Sequence, residues 1–234
     1  MAAHLVALAL DAAAPAELAR FWAGLLGRKA CEQAEGVLLP GDRTQVSLLV
    51  VPGRAARVGP DRVHLHLTSA DEDDQPRTVA AALRLGGRHL DVGQRPEEGH
   101  VVLPDPEGNA FCVIEAGNRF LAGCGLLGEL ACDGSRDVGV FWSRALGWPL
   151  VWDQDEETAI QSPHGGTKIA WGGPPLHPRT GADRQRFVLA PGAGDQQGEV
   201  ERLVSLGATR LAVAHDGPVA LADPDGTPFT LLPR

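Results

Sequence analysis

The stretch LARFWAGLLG at residues 18–27 returns as VGVFWSRALG at residues 138–147. Phe21-Trp22 recurs as Phe141-Trp142 and Leu26-Gly27 as Leu146-Gly147, both at an offset of 120 residues. Working outward, Leu85-Gly86 recurs as Leu206-Gly207 at an offset of 121, and Asp105-Pro106-Glu107-Gly108 as Asp223-Pro224-Asp225-Gly226 at 118. Four anchors in one order at near-constant spacing mark a duplicated unit. The expected organisation is residues 1–117 and 126–234, joined by the Gly-rich segment Asn118–Gly125 as a linker.

Each copy divides again. Leu5–Leu10 reads as a strand, followed by a helix that opens at Pro15, keeps an apolar stripe through Leu18, Phe21, Trp22, Leu25 and Leu26, and stops at Gly27. Strands are expected at Lys29–Ala34, Gly36–Leu39 and Gln45–Val51. The order then repeats: a strand at Val63–Thr68, a helix from about Pro76 to Leu85, and strands near His89–Val92, His100–Leu103 and Ala110–Glu115, with the Asp-Pro-Glu-Gly turn between the last two. Strand-helix-strand-strand-strand four times over gives sixteen short strands and four helices, an α+β chain whose many turns account for 29 glycines and 18 prolines.

Composition narrows the function. Apolar residues are 44% and charged residues 22%, as in soluble globular domains. The longest unbroken apolar run is the six residues Leu5–Leu10, against the ~20 that span a bilayer, so no membrane association is expected. Thirty acids against 21 bases give a net charge of −9 with no basic cluster, which argues against nucleic acid as a partner. No basic residue precedes the apolar start, as a secretory leader would require, so a cytoplasmic protein is expected. The cysteines at 31, 112, 124 and 132 lack C-x-x-C spacing and read as small buried hydrophobes.

With those motifs in hand, the chain resembles the vicinal-oxygen-chelate superfamily, the group of glyoxalases, bleomycin-resistance proteins and extradiol dioxygenases. The resemblance rests on LARFWAGLLG and VGVFWSRALGW for the first helix of each copy, RVHLHLTSAD for the opening strand of a second module, and VVLPDPEGNAFCVIE and VALADPDGTPFTLLP for the closing hairpins. It implies tandem domains in which pairs of βαβββ modules form a curved sheet, with helices outside and a cup on the concave face. In the enzymes of that group a divalent metal sits in the cup, held by His and Glu on the first and last strands of each module. The fold itself hosts lyases, isomerases, dioxygenases and drug-binding proteins, so it leaves activity open. Whether modules pair within a copy or across copies is also open.

Such a metal needs three or four N/O ligands converging on one point. His64 falls in the slot for a second-module histidine, and His66 shares its face, because strand side chains alternate. These two are the candidate ligands for a divalent metal such as Fe, Ni, Zn or Mn. The remaining slots do not supply ligands. They fall on Leu5 and Cys112 in the first copy and on Leu127, Phe187 or Val188, and Thr230 in the second, with Glu129 the one acid expected to face that cup. A metal-independent cup is therefore expected, and glyoxalase I activity, which wants a metal-bound glutamate, is not.

No Ser-His-Asp, Cys-His or phosphate-loop pattern is present. The acidic run Asp71–Asp74 reads as a solvated loop before a helix. Trp22 and Trp142 read as core. Trp148, Trp152 and Trp171 have no counterparts in the first copy and could line an aromatic wall, or equally enlarge the core. The candidate ligand-binding residues are thus Trp148, Trp152, Trp171, Glu129, His64 and Cys112, with Arg144, His164, Lys168 and His177 as nearby polar groups. The expected function is binding of a small apolar or aromatic molecule without a catalytic metal. The alternatives are an enzyme of the superfamily, metal-dependent through His64 and His66, and a partly degenerate structural or regulatory member. The expected assembly is a monomer with an internal pseudo-dimer, or a homodimer.

Overall fold

The computed structural model describes residues 2–53, 61–93, 95, 97–178, 181, 183–212 and 217–233. The first copy contributes β1 (His4–Ala12), α1 (Pro15–Leu26), β2 (Cys31–Gln33), β3 (Gly36–Leu39), β4 (Leu48–Pro52), β5 (Val63–Leu67), α2 (Asp74–Arg84), β6 (Val101–Pro104) and β7 (Ala110–Val113). The second contributes β8 (Leu127–Cys132), α3 (Arg136–Leu146), β9 (Leu150–Gln154), β10 (Glu157–Gln161), β11 (Lys168–Trp171), β12 (Gln185–Ala190), α4 (Gln196–Ser205), β13 (Thr209–Ala212), β14 (Val219–Ala222) and β15 (Pro228–Leu231).

The strands form two open, curved sheets, and each sheet draws on both copies. One runs β13-β14-β15-β12-β1-β4-β3-β2, the other β6-β7-β5-β8-β11-β10-β9. Antiparallel seams between β1 and β12 and between β5 and β8 join them. The modules therefore pair across copies, which settles what the sequence left open. The second module of copy one and the first of copy two share one cup.

Within a copy the two modules meet through a helix and a turn. Trp22 Nε1 on α1 donates to Asp105 Oδ2 at 3.1 Å, and Trp142 Nε1 on α3 donates to Asp223 Oδ2 at 3.3 Å. Asp105 Oδ1 also accepts the backbone amides of Glu107 and Asn109, at 3.0 and 2.9 Å, closing the turn on itself. The turn's third residue caps the helix. Glu107 Oε1 accepts from Ala14 N at 2.7 Å, and Asp225 accepts from Ser135 N at 2.7 Å. Neither α1 nor α3 has a cap from its own first residues, so these acids supply the missing acceptor and suit the helix dipole. Gly108 and Gly226 end the turns at φ of 82° and 83°, where a side chain would be strained. The repeated tetrapeptide thus docks each helix onto the partner module of its own copy.

Trp22 packs edge-on against Phe111 at 5.1 Å, and Trp142 against Phe187 and Phe229 at 4.9 and 5.0 Å, all inside one continuous core. Several local expectations shift. Fifteen strands form among the described residues, not sixteen, because His89–Val92 does not pair. There Asp91 Oδ1 instead accepts from Gly93 N at 2.9 Å, while the matching segment in copy two pairs as β13. The strand expected from Lys29 shrinks to Cys31–Gln33. β4 starts only at Leu48, because Gln45 turns its side chain to Leu127 N and the Cys124 carbonyl. The helix expected from Pro76 begins at Asp74, which leaves the proline in the first turn, where it costs no hydrogen bond. No helix among the described residues is long and apolar enough to cross a membrane.

Candidate ligand-binding cup

On β5, Val63, Leu65 and Leu67 are buried toward the helices, so His64 and His66 project to the concave face. The register then aligns chemistry across four strands. His66 lies beside Cys112 of β7 on one side and Glu129 of β8 on the other, and Glu129 lies beside Lys168 of β11. The row reads Cys-His-Glu-Lys, with its first two members from copy one and its last two from copy two.

His66 Nδ1 stands 2.7 Å from Glu129 Oε2, with the two side chains 20% and 9% exposed. Burial would lower the His66 pKa, but hydrogen bonds to Cys112 and Glu129 and the charge on Glu129 outweigh it and raise the value to about 9. At neutral pH the pair is an imidazolium donating to a carboxylate. Lys168 donates to the Phe120 carbonyl and holds its ammonium 4.1 Å from the Phe120 ring centroid. Phe120 in turn meets Trp152 edge-to-face at 6.0 Å.

These residues border a cavity of about 950 Å³, open on one side, with Trp152, Val151, Ala131 and Ala170 among its apolar walls. At the other end Arg62 pairs with Asp133 and, at 3.3 Å, with Asp183, while His177 lies 3.3 Å from Asp133. His64 Nε2 lies 3.1 Å from the Asp61 carbonyl.

Of the residues singled out from sequence, His64, His66, Glu129, Trp152, Lys168 and His177 line this cavity. Trp171 borders it but is 2% exposed and packs mainly in the core, so little of its indole is on offer. Trp148 lies elsewhere. β9 begins only at Leu150, so strand parity does not extend to Trp148. It wraps the end of α3, with its backbone bonded to Ser143, and borders a separate cavity of about 80 Å³ beside Leu5 and Gln45. Cys112 sits in the row but under cover: Leu121 and Phe120 of the connecting segment pack over it with Cys124, Val102 and Ile114. Its thiol meets His66, not the cavity. Arg144 and His164 also lie away from the cup, the latter 3.3 Å from Arg43. Phe120 was hidden by its place in a Gly-rich stretch that reads as a plain linker, and Arg62 and Asp133 by lying just outside the strand patterns.

The donor set does not fit a divalent metal. Among the described residues no three or more His, Cys, Asp or Glu side chains are placed to hold one. His66 and Glu129 spend their facing atoms on each other, and the next position in the row is an ammonium, which would repel a cation.

Paired βαβββ modules wrapped around concave cups define a glyoxalase-type architecture. The profile of the glyoxalase-like domain matches residues 7–114 and again 129–232, and the chain belongs to that family. Glyoxalase I from Zea mays superposes with a TM-score of 0.67 at 13% identity, over 99% of this chain and 92% of that one. A putative dioxygenase from Bacillus subtilis gives 0.60 at 12% identity, over 97% and 84%. At such identities the likeness is one of fold. No curated protein matches the sequence.

Proposed function

We propose that the chain binds a small, largely apolar or aromatic molecule in the cup of the seven-stranded sheet and does so without a catalytic metal. The observation that carries this reading is the cavity of about 950 Å³, a volume in the range of small-molecule sites, walled on one side by Trp152 and Phe120. Val151 and Trp152 in its lining are 42% and 38% exposed, an apolar rim that a ligand would cover. The metal-dependent enzyme reading through His64 and His66 is disfavoured by the ammonium of Lys168 beside Glu129.

Titration of intrinsic tryptophan fluorescence with a panel of aromatic compounds tests the reading. Saturable quenching that disappears in Trp152→Ala is expected. A flat response across the panel would refute it. Loading with Fe(II), Ni, Mn or Zn followed by desalting tests the metal-free clause, and one retained equivalent that His66→Ala abolishes would overturn it.

A further inference from the structure

The charged groups lining this cup are not all taken up in ion pairs. The buried carboxylates that face it are each ion-paired: Asp61 with Arg184 at 3.3 Å, Asp133 with Arg62, which also meets Asp183, and Glu129 with His66 at 2.7 Å. Lys168 is the remainder. Its ammonium is held by a carbonyl and a ring face, both neutral, and among the described residues it forms no ion pair. Arg119, exposed at the mouth next to Phe120, forms none among those residues either. A half-buried cation that makes no direct ion pair has donor capacity left over, which a ligand carboxylate would take up. In a chain of net charge −9 Lys168 and Arg119 both line this cavity, Lys168 against the Phe120 ring that meets Trp152.

We propose that the cup takes an aromatic acid, with its ring against Trp152 and Phe120, its carboxylate on Lys168, and Arg119 drawing it in at the mouth. This rests on the aromatic-ligand reading above and names the chemistry of the ligand. The Lys168 ammonium is anchored by the Phe120 carbonyl, so it is already oriented before a ligand arrives, which spares part of the ordering cost of binding.

Calorimetric titrations with 1-naphthoate, its neutral amide and 1-naphthylmethylammonium separate the two claims. The acid is expected to bind at least roughly tenfold tighter than the amide, the scale of one charge-assisted hydrogen bond, and the ammonium to bind weakest. Lys168→Met should erase the preference for the acid over the amide. Equal binding of acid and amide by the wild type would overturn the acid claim and leave the aromatic cup standing. Binding of none of the three would overturn both. Should Lys168→Met melt early, Arg119→Gln and salt decide: acid binding that is unchanged by that substitution and by raising salt from about 50 to about 500 mM refutes the proposal.

Discussion

His66 and Glu129 stand 2.7 Å apart although 63 residues separate them and each belongs to a different copy of the repeat. The β5–β8 seam brings them into register, so this ion pair exists only because the sheet is built across copies.

The pair predicts a pH signature. The folded-state pKa of His66, about 9, lies above its unfolded value near 6.5, so the stabilisation is complete below the unfolded value and is lost as pH rises through about 9. The melting temperature should fall across that window more steeply in the wild type than in Glu129→Gln. That variant should lose roughly 2–3 kcal/mol at pH 7, less than the ~3–5 for a fully buried pair because His66 is partly solvated. An NMR titration placing the His66 pKa near 6.5 in the wild type would sink the argument.

Removing one indole donor tests the helix-to-turn docking. Trp22→Phe leaves the Asp105 carboxylate with one donor fewer in a buried site, where burial has already pushed its pKa up to about 6. The expected cost is about 1–3 kcal/mol in chemical denaturation. The Asp105 pKa should rise further, because a hydrogen bond that favours the charged form has gone. An unchanged midpoint would show that the indole bond contributes nothing net.

Gly139 should not tolerate a methyl group. A Cβ there would fall 1.9 Å from Thr158 Oγ1 and 2.6 Å from Thr158 Cβ. Alanine ordinarily stabilises a helix interior by up to ~1 kcal/mol, but here overpacking of ~1–3 kcal/mol should win. The thermal midpoint of Gly139→Ala should drop, and restoring room with Thr158→Ser should recover only part of it, since the clash includes the oxygen.

Cross-copy sheets also predict how the halves behave. Residues 1–117 and 118–234, co-expressed with a tag on one, should co-purify, because each exposes open strand edges that the other covers. Two halves that each elute alone as folded monomers would contradict this. The intact chain should run as a monomer of 24.6 kDa in light scattering, its pseudo-dimer internal.

The fold was legible where the sequence repeats itself. The helix stripe around Phe21-Trp22, the Asp-Pro-acid-Gly turns and the strand alternation around His64 and His66 all report local geometry, which a linear pattern can carry. The pairing of modules is not local. Two module faces of similar composition suit either partner, and only the three-dimensional seams decide. For the site, alternation put His64, His66 and Glu129 on the right face, but the aromatic wall expected of Trp148 fails, since Trp148 lies in the link between α3 and β9 and not on the strand. Parity also put Cys112 on that face, and could not show that Leu121 and Phe120 cover it. A glycine-rich segment reads as a spacer until packing shows Phe120 forming a wall and fixing Lys168.

The seams also nest one sheet inside the other along the chain. The seven-stranded sheet uses only β5 to β11, an unbroken stretch, whereas β1 at the start must find β12 some 180 residues later. As the chain leaves the ribosome the inner sheet has every strand it needs once Trp171 has emerged, while the outer one still lacks β12 to β15. Through that interval the apolar β1 strand, paired with β4 on one side, waits with its other edge unmatched. The sheet beneath the ligand cup can form while the N-terminal module is still without its partner.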